Sequence, residues 1–344
     1  MIASATSTSF TNEPAPARRR LAVHGPAVEI DCTVAAVSAE IDRVLGPFDV
    51  GGWPDGFSAV AGSVRAYDTA QVVRHVSPTA RALPRSQDMA ELFEEGERFW
   101  LVDERWGMVE INFLKGSWRS WVLPRPQFDA VRCAEMAVLW PMAQLLRPRG
   151  LYLLPAASAV RNGWAFLLLC PFGLEPDLAA LARAGYKIIG QRWTAVREED
   201  GRLALLHLPG RVERGATPRL RAAGEFEPNA DTNLNWRDVT AQFPGSVQNH
   251  AFCDAVLVAD AGRRAHAALQ PLESADALHL LRQSWPIVEL HPHRRHSPLP
   301  LKLSQQCAAA EVQLSRHAGE LLQLLEGFRQ SPAPRGHAPM PQVA

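Results

Sequence analysis

The stretch "RGLYLLPAASAVRNGWAFLLLCPFGLEPDLAALARAGYKIIGQRWTAVREEDGRLALL", Arg149 to Leu206, decides the fold. Two apolar runs, "LYLLPAASAV" and "WAFLLLC", flank Arg161-Asn162-Gly163. Asn-Gly supplies the positive φ that a tight hairpin needs, so a hairpin is predicted there. The loop "CPFGLEP" follows, then a helix started by Pro176 or Asp177, running through Ala184 and closed by Gly185. "YKII" and "RWTAV" read as strand, and "REEDGR" turns the chain through Asp200-Gly201 into "LALLHLP". Strand, glycine-containing loop, helix and strand make the frame in which a phosphate-cradling loop sits.

Upstream, "ERFWLVDERWGMVEINFLKGSWRSWVLP", Glu97 to Pro124, alternates apolar and polar residues in three runs broken at Asp103-Glu104 and Lys115-Gly116. That is the pattern of an antiparallel meander. It holds four of the ten tryptophans: Trp100, Trp106, Trp118 and Trp121. They pack a core against the next helix or, in part, form a protein-docking patch. That helix, "PQFDAVRCAEMAVLWPMAQLLRPRG", has Val131, Val138, Leu139, Met142, Leu145 and Leu146 at helical spacing. Pro141 is expected to kink it, and Pro148 and Gly150 to end it. Between Asp31 and about Asp88 the pattern is mixed, with "SAVAGSVRAY" a candidate strand. Downstream, "DAVLVAD" and "AHAALQPL" read as a strand pair and "ESADALHLL" as a helix capped at Ser274. "LSQQCAAAEVQLSRHAGELLQLLEGF" reads as one long amphipathic helix.

The composition excludes more than it selects. Acidic and basic residues balance at 36 each, so no net field points to nucleic acid or an anionic membrane. No apolar run is long enough to span a bilayer, and the first twenty residues show no export signal. Five scattered cysteines, Cys32, Cys133, Cys170, Cys253 and Cys307, read as reduced, buried thiols in a cytoplasm. Only Lys115, Lys187 and Lys302 are lysines; the other basic residues are arginine.

Taken together, the hairpin, loop, helix, strand and hairpin of Arg149 to Leu206 resemble the catalytic core of the bacterial HPr kinase/phosphorylase-like P-loop family. The resemblance implies an α/β (α+β) fold: a P-loop HPr kinase-like core with a mixed sheet, preceded by a β-rich N-terminal region. The organisation expected is a disordered tail over residues 1–20, the β-rich region over 21–124, the P-loop-like domain over 125–330 and a second tail over 331–344. In the family the loop carries a lysine and a serine. Here it aligns with Pro171, Phe172, Gly173, Leu174 and Glu175, so that Leu174 takes the lysine slot and Glu175 the serine slot. The family's paired aspartates meet Gln191 and Arg192, and its histidine before the first strand's alanines meets Pro155.

These losses matter physically. A P-loop holds phosphate by backbone N–H groups, a lysine on the β- and γ-phosphates and a hydroxyl on magnesium, with carboxylates nearby. No lysine lies between Lys115 and Lys187, so no shift of register restores one. A Glu175 carboxylate ~4 Å from a phosphate oxygen would cost about 4 kcal/mol at an effective dielectric of ~20, roughly three powers of ten in affinity. Each lost lysine contact adds about 1.5 to 3 kcal/mol, and Pro176 has no N–H to contribute.

The expectation is therefore a catalytically inactive, pseudokinase-like protein, without cofactor or metal, that binds another protein or peptide; a homo-oligomer is compatible with it. The alternative is an active serine kinase with ATP and magnesium, in which Arg192, Arg161 or Lys187 supplies charge and Glu175 or Asp177 a metal ligand or base. Two further patterns fall short of a metal site. "HPHRRHSP", His291 to Pro298, has metal-like histidine spacing but two arginines that repel a cation. "DTNLNWRD", Asp231 to Asp238, lacks the turn glycine and closing glutamate of a calcium loop.

Overall fold

The structure is a computed structural model and describes residues 17–52, 59–66, 76–83, 91–103, 105–123, 129–170, 177–210, 212–213, 236–237, 239–284, 290, 297–315 and 318–330. It is mixed α/β, with mixed sheets and few helices. The chain divides into two compact units, one of Met1–Asp42 with Gly46–Pro141, the other of Arg43–Leu45 with Met142–Ala344. The division falls after Pro141, inside the predicted helix.

The first unit carries an eight-stranded mixed sheet in the order β1-β2-β3-β8-β7-β6-β5-β4. Its strands are β1 (Ala17–Ala22), β2 (Ala27–Cys32), β3 (Val60–Ala66), β4 (Arg81–Ala82), β5 (Glu91–Glu95), β6 (Arg98–Asp103), β7 (Gly107–Asn112) and β8 (Ser117–Val122). The expected meander is β6 to β8, antiparallel throughout, while β3 runs parallel to both β2 and β8. All four meander tryptophans are buried. Trp118 and Trp121, an odd number of positions apart, serve opposite faces of the sheet. The Trp118 ring lies over Gly62, and Trp121 packs with Trp100, Met108 and Leu123.

The helix after Asp129 starts as read, with the Asp129 carboxylate accepting from Val131 N at 3.0 Å. It runs as an α-helix over Ala130–Ala134, a π-helical segment over Glu135–Leu139 and an α-helix over Trp140–Leu146. Pro141 has no N–H to offer the Ala137 carbonyl four residues back. Trp118 Nε1 at 3.0 Å and Ser120 Oγ at 2.6 Å donate to that carbonyl instead. The proline thus distorts the helix where the sheet can satisfy what it frees, which ties residues up to Pro141 to the first unit.

In the second unit the order departs from the reading in one way that matters. Pro155 splits "LYLLPAASAV" into β9 (Leu151–Leu154) and β10 (Ala156–Arg161), which join different sheets. β10, β11 (Trp164–Leu169) and β12 (Lys187–Gly190) belong to a six-stranded mixed sheet. β9 pairs with β13 (Thr194–Glu199), which pairs with β14 (Arg202–Leu206) in a four-stranded antiparallel sheet. β15 (Val212–Glu213) and β16 (Trp236–Arg237) form a short antiparallel pair, and β17 (His250–Phe252) borders β14. The tight turns are where they were predicted: Asn162 and Gly163 have φ of 52° and 78°, Asp200 and Gly201 51° and 77°.

The C-terminal reading needs correction. The run read as one helix is a helix over Leu299–Gln306, a strand over Ala308–Ser315 and a helix over Ala318–Gln330. That strand, β20, lies between β18 (Ala255–Arg264) and β19 (Ala268–Leu272), which therefore do not pair with each other as expected. Backbone bonds on both sides outweigh the helix preference of its three alanines. Ala310, Val312 and Leu314 face the core while Glu311, Gln313 and Ser315 alternate outward. The helix over Ser274–Gln283 is preceded by Glu273, not capped by the Ser274 side chain. Among the described residues, no helix is long and apolar enough to cross a membrane.

Candidate functional site

The candidate site lies at one end of the six-stranded sheet, where β11 ends at Leu169 and β12 at Gly190. β10 is antiparallel to both, so β11 and β12 point the same way and their C-terminal ends share that edge. The loop residues Pro171, Phe172, Gly173, Leu174 and Glu175 lie outside the described residues, as do His291 to His296 and most of Asp231 to Asp238. Both flanks of the loop are described. Cys170 is buried, and Asp177 caps the helix over Leu178–Arg183, its carboxylate accepting from Ala180 N at 3.0 Å. Gly185 ends that turn at φ 85°.

Gln191 and Arg192, which the sequence resemblance aligns with an acidic pair, follow β12 directly and are sealed inside, at 0% and 4% exposure. Their surroundings are close-packed. A Cβ on Gly190 would overlap the Thr194 hydroxyl and lie 2.6 Å from the Trp193 carbonyl. On the other side Gly210 approaches so closely that a Cβ there would sit 3.1 Å from Gln191 Cβ and 3.4 Å from Arg192 N. The chain at His207 and Leu208 is fastened down on β12: His207 Nδ1 and Leu208 N both donate to the Ile189 carbonyl.

Beneath this cover lies a buried hydroxyl pair. Thr194 Oγ1 donates to the Ala156 carbonyl at 2.9 Å, so its single proton is committed and the 2.8 Å bond to Ser158 is donated by Ser158. Ser158 is fully buried, and its hydroxyl serves the interior.

The cationic residues named for an active kinase are dispersed. Arg161 pairs with Trp164 across the hairpin and Val160 with Lys187, whereas Ala156 pairs with Leu169 at the loop end. At about 3.3 Å per residue, five residues put Arg161 roughly 17 Å from that end and four put Lys187 roughly 13 Å from it. Arg161 is held there by Glu326 at 2.7 Å and lies over the Tyr186 ring. Tyr186 OH also donates to Glu326, at 3.0 Å. Burial, and then the bond to Glu326, push the Tyr186 phenol up to about 12. Of the three basic candidates only Arg192 shares an edge with the loop.

The helix start at Asp177 and the strand before Gln191 were legible in the sequence. Sequence reasoning did not locate the covering segment at His207 to Gly210, whose signal was a glycine with no turn to make, nor the Arg161-Tyr186-Glu326 cluster, whose members are far apart in sequence. The tryptophans Trp100, Trp106, Trp118 and Trp121 pack the interior of the first unit and do not line an exposed patch.

The fold and site define a mixed α/β protein with a strand-loop-helix edge closed by packed neutral and arginine side chains. No family model and no curated protein matches the chain. Among solved structures it is similar to the Hpr(Ser) kinase/phosphatase from Coxiella burnetii, with 11% identity and a TM-score of 0.29, over 52% of this chain and 90% of that one. This is a weak structural likeness.

Proposed function

We propose that this protein is a binding module for another protein or peptide, built on an HPr kinase-like core that does not transfer phosphoryl groups. One observation carries the proposal: Gln191 and Arg192, which the sequence resemblance aligns with a metal-holding acidic pair, are buried and closely approached by Gly190, Trp193 and Gly210. A phosphoryl-transfer site needs carboxylates that reach a solvated magnesium ion and a nucleophile. An amide and a guanidinium in the interior do neither. Arg161 and Lys187, at the far end of the strands, do not compensate. The setting proposed is the cytoplasm, on the odd and scattered set of cysteines.

The proposal is tested by incubating the full chain with magnesium and terminally labelled ATP, alone and with an extract of its native host. No label is expected on any protein above a no-enzyme control, and affinity purification of the tagged chain should return a partner in constant proportion. Label transfer that depends on this chain would overturn the proposal.

A further inference from the structure

Cys253 and Cys307 each stand just before a central strand of the six-stranded sheet. β18 and β20 are parallel neighbours in a register that matches Ala255 with Ala308. Ala308 N donates to the Asp254 carbonyl at 2.9 Å, which fixes the two backbones side by side at this point. Cys307 Sγ donates to the Cys253 carbonyl at 3.4 Å, and Cys253 Sγ to the Ala255 carbonyl at 3.3 Å. Both are buried. Cys170, the other cysteine of this sheet, is at its opposite end: Leu169 is matched with Val258, while Phe166 is matched with Ala255.

We propose that Cys253 and Cys307 form a reversible dithiol-disulfide site, oxidised by exchange with a small disulfide of the glutathione type, that clasps β18 to β20. In the exchange the thiolate of one cysteine attacks a sulfur of oxidised glutathione, whose S–S bond breaks and releases one glutathione thiolate. The second cysteine attacks the mixed disulfide and releases the other. Two S–H groups of the protein lose two protons and two electrons, and oxidised glutathione becomes two glutathiones. The thiolate is the attacking species, and burial beside a second thiol holds Cys253 protonated, so exchange proceeds through brief local opening and is slow. The bridge would close a long loop and so restrict the unfolded chain.

The test is incubation of the full-length protein with oxidised glutathione, followed by alkylation of remaining thiols and tryptic mass mapping. The expected product is a cross-linked pair, the Cys253 peptide joined to the Cys307 peptide and two hydrogens lighter than their sum. It should disappear with dithiothreitol, be absent in Cys307→Ser, and raise the thermal midpoint of the oxidised protein by several degrees. Separate alkylation of both peptides after prolonged incubation, glutathione adducts with no cross-link, or a cross-link through Cys170 would overturn the proposal. Mapping the wild-type chain decides the matter even if Cys307→Ser does not fold.

Discussion

Trp118 donates its indole N–H to the carbonyl of Ala137 at 3.0 Å, a carbonyl to which Pro141, four residues on, has no N–H to offer. Ser120 donates to the same oxygen at 2.6 Å. Since the acceptor keeps Trp118, Ser120→Ala should cost only about 1 kcal/mol. Gly62→Ala is a harder change, because its Cβ would enter the Trp118 ring from a fixed backbone. It should cost at least about 1–3 kcal/mol. Adding Trp118→Leu, which opens the space, should give a double variant more stable than the two single losses predict. Urea unfolding measures all four proteins, and strict additivity would refute the packing described.

The two buried hydroxyls are not equivalent. Thr194 holds bonds to both Ala156 and Ser158, whereas Ser158 only donates to Thr194. Thr194→Val keeps the shape and strands a carbonyl, at a cost of about 1–3 kcal/mol, while Ser158→Ala should cost about 0.5–1.5 kcal/mol. Chemical denaturation should rank them in that order.

The Tyr186 phenol has a pH signature. Its folded pKa of about 12 lies above the ordinary value of 10.0. Folding therefore favours the protonated phenol, and the stability this contributes is present in full below pH 10 and is lost as the pH rises towards 12. Glu326→Gln removes the charge that opposes ionisation but leaves the burial, so the phenol should titrate lower without reaching the ordinary value. Ultraviolet difference titration of both proteins tests this; an unchanged Tyr186 titration in Glu326→Gln would contradict the assigned bond.

Local chemistry made the turns and caps legible. Asn162-Gly163, Asp200-Gly201, Asp177 and Gly185 each carry a backbone requirement that few other residues meet, and each performs the role expected. What the sequence hid is set at long range. Whether "AAAEVQLS" is helix or strand depends on β18 and β19 offering bonds on both sides, a contest that Ala310 and Leu314 cannot decide alone. Pro155 marked a break, but not that the chain changes sheet there. For the site, the lack of lysine between Lys115 and Lys187 could be read directly, whereas the burial of Gln191 and Arg192 depends on Gly210, nearly twenty residues away.

Calorimetric titration of the full chain with magnesium-ATP tests the central claim most directly. With no lysine in the loop and an enclosed Gln191-Arg192 pair after β12, the account predicts no binding heat at millimolar nucleotide. A saturable isotherm with a micromolar dissociation constant would contradict it.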